Sequence, residues 1–239
     1  MGRCVWERDV VQVALALYPG VSAHECEAFT LVFDQLAEAQ LVRVGARLGR
    51  VDGPGGGNHI DALFDQVTQP DVVLVPGGLG CARAAGDVEL LHWIRRVARR
   101  CDWLAASSTG TVIVAAAGLL HEHEVATHWL ASELLESYGS TASHERIVQV
   151  DNVITCEGAI TAMHVALLVT LRLAGPDAVA RARAGIEREQ RSSQPRTKRW
   201  NRLRSRPTRP AAPRNPELVA PELVAPDVIE LEPFTVHPY

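Results

Sequence analysis

The stretch best suited to chemistry is Trp103–Leu120, WLAASSTGTVIVAAAGLL. A short apolar run, Trp103–Ala106, meets Ser107-Ser108-Thr109-Gly110, and a second run of small apolar residues follows. That is the pattern of a buried strand turning sharply into a buried helix. Ser108, at the turn, would stand at the carboxyl end of a sheet facing the first amides of the helix. A hydroxyl there is a candidate nucleophile, and because an alcohol is not ionised near neutral pH it needs a base within hydrogen-bond reach.

Other reactive groups offer less. Five cysteines (Cys4, Cys26, Cys81, Cys101 and Cys156) are scattered without a CxxC pair, which argues against a zinc site or a disulfide framework and for a reducing compartment. Buried structural thiols are the commoner reading of Cys26 and Cys156, although both could lie near the pocket. His121-Glu122-His123 has no identifiable third ligand, so no metal is expected. Gly53–Asn58 (GPGGGN) lacks the strand-before, helix-after setting of a dinucleotide fingerprint. It reads as a flexible loop, and no cofactor is expected.

The elements that must position Ser108 follow from periodicity. Val11–Leu17 is a β-branched and apolar run closed by Tyr18-Pro19-Gly20, which predicts a central strand. Glu25–Ala39 carries Ala28, Leu31, Val32 and Leu36 at helical spacing, and Leu41–Val44 is a second short strand. Asp71–Val75 is a buried strand ending in Pro76-Gly77-Gly78. Asp87 caps a helix reaching Cys101, with Leu90, Leu91, Ile94, Val97 and Ala98 on one face and Arg95, Arg96, Arg99 and Arg100 on a solvated one.

Beyond the central stretch, Glu124–His128 predicts a strand and Leu130–Tyr138 a helix. Ile147–Val150 and Val153–Thr155 flank a two-residue turn at Asp151-Asn152. Gly158–Gly175 is a long apolar helix, and Pro176–Glu189 an amphipathic one with proline in its first turn. Strands alternating with helices imply an α/β domain with a mainly parallel sheet. Ligands then sit beyond the carboxyl ends of the strands, where Ser108, Gly77-Gly78 and the Pro19–Glu25 loop all fall.

Bulk properties narrow the function classes. The 239 residues are 47% hydrophobic and 22% charged, an ordinary balance for a soluble domain with a sizeable core. The unbroken apolar run Val112–Leu120 is half of what a membrane span requires, and the first ten residues have no signal-peptide pattern, so a cytoplasmic protein is expected. The net charge of −4 conceals a split: residues 1–190 carry −8, Arg191–Arg214 hold nine basic residues and no acid, and Asn215–Tyr239 hold five acids and no Lys or Arg. An acidic body speaks against a nucleic-acid-binding core. Nine of the fourteen prolines lie beyond residue 190, with PELVA-PELVA-PDVIE among them. The expected organisation is therefore a domain over residues 1–190 and a disordered Pro-rich tail over 191–239. That tail is too broken by proline for a helix-turn-helix domain.

VLVPGG (Val73–Gly78), the elbow at Ser108, AAAGLL (Ala115–Leu120), ATHW (Ala126–Trp129) and NVIT (Asn152–Thr155) occur in that order. Together they resemble the ThiJ/PfpI superfamily, relatives of the class-I glutamine amidotransferases. With YPGV (Tyr18–Val21) near the start, the phrasing is most similar to the isonitrile hydratase branch, over about Val11–Glu189. The resemblance implies a flavodoxin-like, mainly parallel sheet sandwiched by helices, with a nucleophile elbow. It also implies a small-molecule substrate with a carbon–nitrogen or acyl group, a homodimer, and hydratase (lyase) or hydrolase chemistry.

By position in that family, Glu25 matches its acid, Gly77-Gly78 its glycine turn and His128 its histidine, while Ser108-Thr109-Gly110 stands where the family has Cys-Thr-Gly. Carried over, His128 would be the base for Ser108, Glu25 would orient the hydroxyl or supply a proton, and the Gly78 and Thr109 amides would face a developing anion. Each residue also has a structural reading: Ser108 as a small residue filling a tight turn, Glu25 as a helix cap, His128 as a packed core histidine, and the glycines as turn-formers. A silent binding or stress-sensing protein is the functional counterpart of those readings.

Overall fold

Six consecutive residues, Val11–Ala16, form β1, which is paired along both edges and largely buried. The computed structural model describes residues 10–193. After β1 come α1 (Ala23–Phe33), β2 (Ala39–Gly45), β3 (Gly49–Gly53), β4 (Gly56–Ile60), β5 (Ala62–Leu63) and β6 (Val72–Val75). The chain continues through α2 (Cys81–Ala84), α3 (Val88–Ala98), β7 (Trp103–Ser107), α4 (Gly110–Ala116) and β8 (Glu124–Val125). A 3-10 turn (Trp129–Ala131) leads into α5 (Ser132–Glu136), β9 (Thr141–Ala142), β10 (Ile147–Val150), β11 (Val153–Cys156) and α6 (Ala159–Ser193).

Seven strands make the main sheet in the order β10-β11-β7-β6-β1-β2-β5. All pairs are parallel except β10–β11, which closes one edge through a hairpin whose Asp151 adopts φ 51°. The chain leaves β1 toward β2 on one side and later returns to β6 on the other. With right-handed crossovers, that reversal puts α1 and α3 on opposite faces and opens a crevice at the carboxyl ends of β1 and β6. The fold is the flavodoxin-like one, a mostly parallel sheet covered by helices.

Several local expectations are corrected. α1 stops at Phe33, and Ala39 already lies in β2, because Asp34 caps the helix and the chain turns through residues 34–38. Gly53–Asn58 is not a flexible loop but the turn of the antiparallel pair β3–β4. A Cβ on Gly53 would lie 1.8 Å from the Val21 carbonyl oxygen, so this hairpin rests directly on the loop after β1. Two backbone bonds fasten it there, Gly20 N to Asp52 O at 2.9 Å and Ala23 N to Pro54 O at 2.8 Å.

The strand expected over Glu124–His128 ends at Val125, and the helix expected from Leu130 begins as a 3-10 turn. α3 ends at Ala98, before the expected Cys101, and its two arginines are not merely solvated. Arg95 donates to the Ala117 and Ala116 carbonyls at the end of α4, and Arg96 to the Phe64 carbonyl. They close orphaned carbonyls that helix and strand ends leave open. α3 itself starts as expected, with Asp87 accepting from the Glu89 and Leu90 amides.

α6 is two helical segments joined at Gly175, whose φ of 78° precedes Pro176. Its span Ala159–Arg191, mean hydropathy 1.4 in its most apolar window, is long and apolar enough to cross a membrane. In this fold Ala162, Val165, Ala166, Val169, Leu173, Ala178, Ala182 and Ile186 are buried, and the helix packs on α1 and β7 as a core element. The expected tail over 191–239 lies almost wholly outside the described residues.

Candidate active site

The loops after β1, β6 and β7 meet at the crevice and are sewn together by backbone contacts. Val21 bridges Gly78, the Ser22 amide donates to the Gly77 carbonyl at 2.9 Å, and Tyr18 Oη donates to the Pro76 carbonyl at 2.8 Å. The glycine pair is required by proximity as well as by the turn. A Cβ on Gly77 would come within 2.8 Å of Ser108 Cβ, and one on Gly78 within 2.3 Å of the Gly20 carbonyl oxygen.

Ser108 sits at the elbow with φ 56°, the left-handed region that costs a non-glycine residue about 1–3 kcal/mol. Its surroundings impose that conformation. The Ser108 amide donates to the Cys156 carbonyl at 2.7 Å, and Thr127 Oγ1 donates to the Ser108 carbonyl at 3.0 Å. Gly110 completes the elbow: a Cβ there would lie 2.2 Å from the Val75 carbonyl oxygen, so only glycine lets α4 start this close to β6.

Glu25 is the third residue of α1. Its amide donates to the N-cap Ser22 Oγ at 3.4 Å, and a Ser-x-x-Glu spacing permits the carboxylate to return the favour. It does not. The Ser22 amide is bonded to Gly77, and the Glu25 carboxylate turns into the crevice, where it accepts from Ser107 Oγ at 2.7 Å and from the Ala159 amide. Glu25 thus lies in the first turn of α1, as a helix-start acid does, while its carboxylate bonds within the crevice and not to the Ser22 amide. Burial pushes its carboxyl above the ordinary 4.5; the Ser107 hydroxyl, the nearby His128, the Ala159 amide and the Ser108 hydroxyl pull the other way, in that order.

His128 lies half-buried in the same neighbourhood as the N-cap of the 3-10 turn, its ring stacked on Trp129 with centroids 5.8 Å apart. Its Nδ1 accepts from the Leu130 amide at 3.3 Å. A neutral imidazole with Nδ1 as acceptor carries its proton on Nε2, so the ring offers the crevice a donor rather than a lone pair. In that state the imidazole enters the crevice as a donor, and the role of base expected of His128 needs Nδ1 released from the Leu130 amide. Of the two groups, Glu25 alone presents acceptor atoms there.

The anion-facing amides are also redistributed. The Gly78 amide does not stand open, because it donates to Thr109 Oγ1 at 2.8 Å while that hydroxyl donates to the Gly78 carbonyl at 3.0 Å. Thr109 thus clasps the glycine turn to the elbow. Neither Cys26 nor Cys156 substitutes for a thiolate nucleophile: burial pushes both thiols up to about 12, beyond ionisation near neutral pH. Among the described residues no three His, Cys, Asp or Glu converge as a metal set.

A cavity of about 590 Å³ adjoins the crevice, with Thr127, His128 and Trp129 on one wall and Gly158, Ala159 and Ile160 on another. That volume suits a small organic molecule. Because the Ala159 amide holds Glu25, the cavity and the carboxylate share a wall.

Ser107, Thr127 and Tyr18 were not singled out from the sequence. For Ser107 a signal existed: a hydroxyl at the end of an otherwise apolar strand must find a partner when buried. Thr127 and Tyr18 carry no such local mark.

Solved structures with this architecture include a ThiJ/PfpI family protein from Pseudomonas syringae, with a TM-score of 0.69 and 24% identity over 81% of this chain and 80% of that one. Drosophila melanogaster DJ-1beta superposes with a TM-score of 0.64 at 21% identity, covering 74% of this chain and 98% of the other. Both likenesses concern the fold. In sequence, the chain is 30% identical to isonitrile hydratase from Pseudomonas putida over 168 residues, 70% of this chain and 74% of that protein. It is 26% identical over 107 residues to the glutathione-independent glyoxalase DJR-1.2 of Caenorhabditis elegans, 45% of this chain and 57% of the relative. The sequence pattern of the DJ-1/PfpI family matches residues 11–170, and with the elbow, the glycine turn and the acid assembled at one crevice, this chain belongs to the DJ-1/PfpI family.

Proposed function

We propose that the protein hydrates a small carbon–nitrogen substrate, an isonitrile, to the N-substituted formamide, with Ser108 as nucleophile and Glu25 as base. The observation that carries this reading is the Glu25 carboxylate lodged at the elbow, in contact with the Ser107 and Ser108 hydroxyls. The similarity to the Pseudomonas putida isonitrile hydratase supports the choice of substrate.

The chemistry balances as follows. Ser108 Oγ bonds to the terminal isonitrile carbon while its proton passes to Glu25, and the carbon gains a proton to give an O-linked formimidate, Ser–O–CH=N–R. Water then adds to that carbon, giving up a proton to the nitrogen. Collapse breaks the bond between Ser108 Oγ and that carbon, the hydroxyl added from water becomes the carbonyl as its proton passes through Glu25 to Oγ, and R–NH–CHO leaves. Glu25 shuttles the proton in both halves, and His128 Nε2–H is the donor proposed to assist at nitrogen. The Thr109 amide is the backbone donor proposed for developing charge on oxygen. A direct attack by water, with Glu25 as its base, is the variant in which Ser108 only orients.

The test is formamide production from cyclohexyl isocyanide by the wild type and by Ser108→Ala and Ser108→Cys. Turnover by the wild type, lost in Ser108→Ala, supports the covalent route. Full activity in Ser108→Ala assigns the attack to water. An inert wild type with an active Ser108→Cys refutes the enzyme reading for the natural protein.

The second reading is a catalytically silent binding or stress-sensing protein. It is favoured by the bond that occupies the Gly78 amide and by an alcohol where the resemblance places a thiol. We further propose a cytoplasmic homodimer; a monomeric mass by light scattering would refute the assembly.

A further inference from the structure

We infer that Ser107 is a positioning residue, whose hydroxyl holds the Glu25 carboxylate ionised and turned toward Ser108. The inference deepens the reading of Glu25 as base and rests on it for its catalytic consequence, although the contact itself is independent of any reaction.

Ser107 Oγ lies 2.7 Å from Glu25 Oε2, across 82 residues of chain. The hydroxyl is a charge-assisted donor in a site largely closed to water, where such bonds are strongest. Ser107 is itself fully buried, at 0% exposure, so it cannot meet a substrate as a nucleophile. Successive strand residues point to opposite faces, yet the hydroxyls of Ser107 and Ser108 both meet Glu25. The left-handed backbone at Ser108 breaks the alternation and brings the second hydroxyl to the same carboxylate.

The carboxylate needs that support because burial favours its neutral form. Its neighbours on every packed element are few. His128 lies on the loop after β8, Cys26 beside it on α1, Cys156 at the end of β11 and Tyr18 after β1. Burial keeps the two thiols and the phenol neutral across the working range, so they add no charge beside the carboxylate. That leaves His128, the Ala159 amide and the two serines to stabilise the ionised form, with Ser107 the largest contributor.

The test follows the Glu25 carboxyl carbon by NMR in protein labelled at glutamate Cδ, its resonance identified by its loss in Glu25→Gln. In Ser107→Ala the titration midpoint moves upward by about one pH unit, a tenfold change in the protonation equilibrium. Ser107→Thr, which keeps the hydroxyl, restores the wild-type midpoint. Ser107→Cys, close in size but a weak donor, shifts as alanine does and serves if the alanine variant fails to fold. Repeating the titration in His128→Gln removes the neighbour that acts on the Glu25 carboxyl next after Ser107.

Coincident midpoints in wild type, Ser107→Ala and Ser107→Cys overturn the inference. In the turnover assay, the acid limb of kcat/KM moves by the same interval as the NMR midpoint while the high-pH plateau is retained. A wild type without turnover refutes the hydratase reading, and the carboxyl titration still decides the role of Ser107.

Discussion

Ser107 and Ser108 are the same side chain one residue apart, and their environments divide the work of the elbow between them. Ser107 ends β7 in the regular ladder, opposite Cys156, fully buried and bonded to Glu25. Ser108 leaves the ladder at φ 56°, retains 7% exposure, and has its backbone fixed by the Cys156 carbonyl and the Thr127 hydroxyl. A strand end can bury and orient a group, whereas only the strained turn presents one. The difference lies in backbone conformation, not in the residue type.

Removing the partner shared by both serines has the largest expected effect. Glu25→Gln lowers kcat/KM for cyclohexyl isocyanide by about 10²–10⁴-fold, the usual yield of a positioned general base. The same change stabilises the fold at neutral pH. Burial raises the Glu25 carboxyl in the folded state above the ordinary 4.5, so the folded state binds the proton more tightly than the unfolded one. Stability from this group is therefore full below about pH 4.5 and is lost as pH rises through the folded value. Melting temperatures of wild type and Glu25→Gln should coincide in acid and separate in favour of the variant at pH 7. A variant less stable than wild type at pH 7 would contradict the burial cost.

Pressing on Ser108 comes next. Gly77→Ala would put a Cβ 2.8 Å from Ser108 Cβ and 2.9 Å from the Thr109 amide nitrogen, so the elbow must shift. The expected cost is about 1–3 kcal/mol in urea unfolding, with activity falling further than stability explains. Thr109→Val is the smallest test. It strands the Gly78 amide, which now donates to Thr109 Oγ1, at a cost of about 1 kcal/mol read as a lowered denaturation midpoint. No loss would mean that the clasp between glycine turn and elbow is dispensable.

Much of this architecture was legible without the structure because it is local. Val11–Leu17, Asp71–Val75 and Trp103–Ala106 read as strands from β-branched apolar runs, Asp87 as a cap, and Asp151-Asn152 as a hairpin turn. Each signal lies within a few residues of the element it specifies. The GPGGGN segment failed as a reading because its hairpin has scarcely any apolar alternation, and its order comes from the Val21 loop beneath it. The hydrogen bonding of His128 depends on context in the same way. The acceptor at Nδ1 is engaged by the Leu130 amide, a fact set by the 3-10 turn rather than by the histidine.

The sequence by itself determined the alternation of strands and helices, the strand–elbow–helix at Ser108 and the family to which the chain belongs. The motifs that carry those features are contiguous, and steric limits at glycine and strand ends leave them few conformations. Only the tertiary structure decided the allocation of hydrogen bonds at the crevice: Ser107 to Glu25, Thr109 to Gly78, Thr127 to Ser108. Those partners lie 82, 31 and 19 residues apart, and a buried polar group bonds whatever acceptor the packed sheet brings within reach.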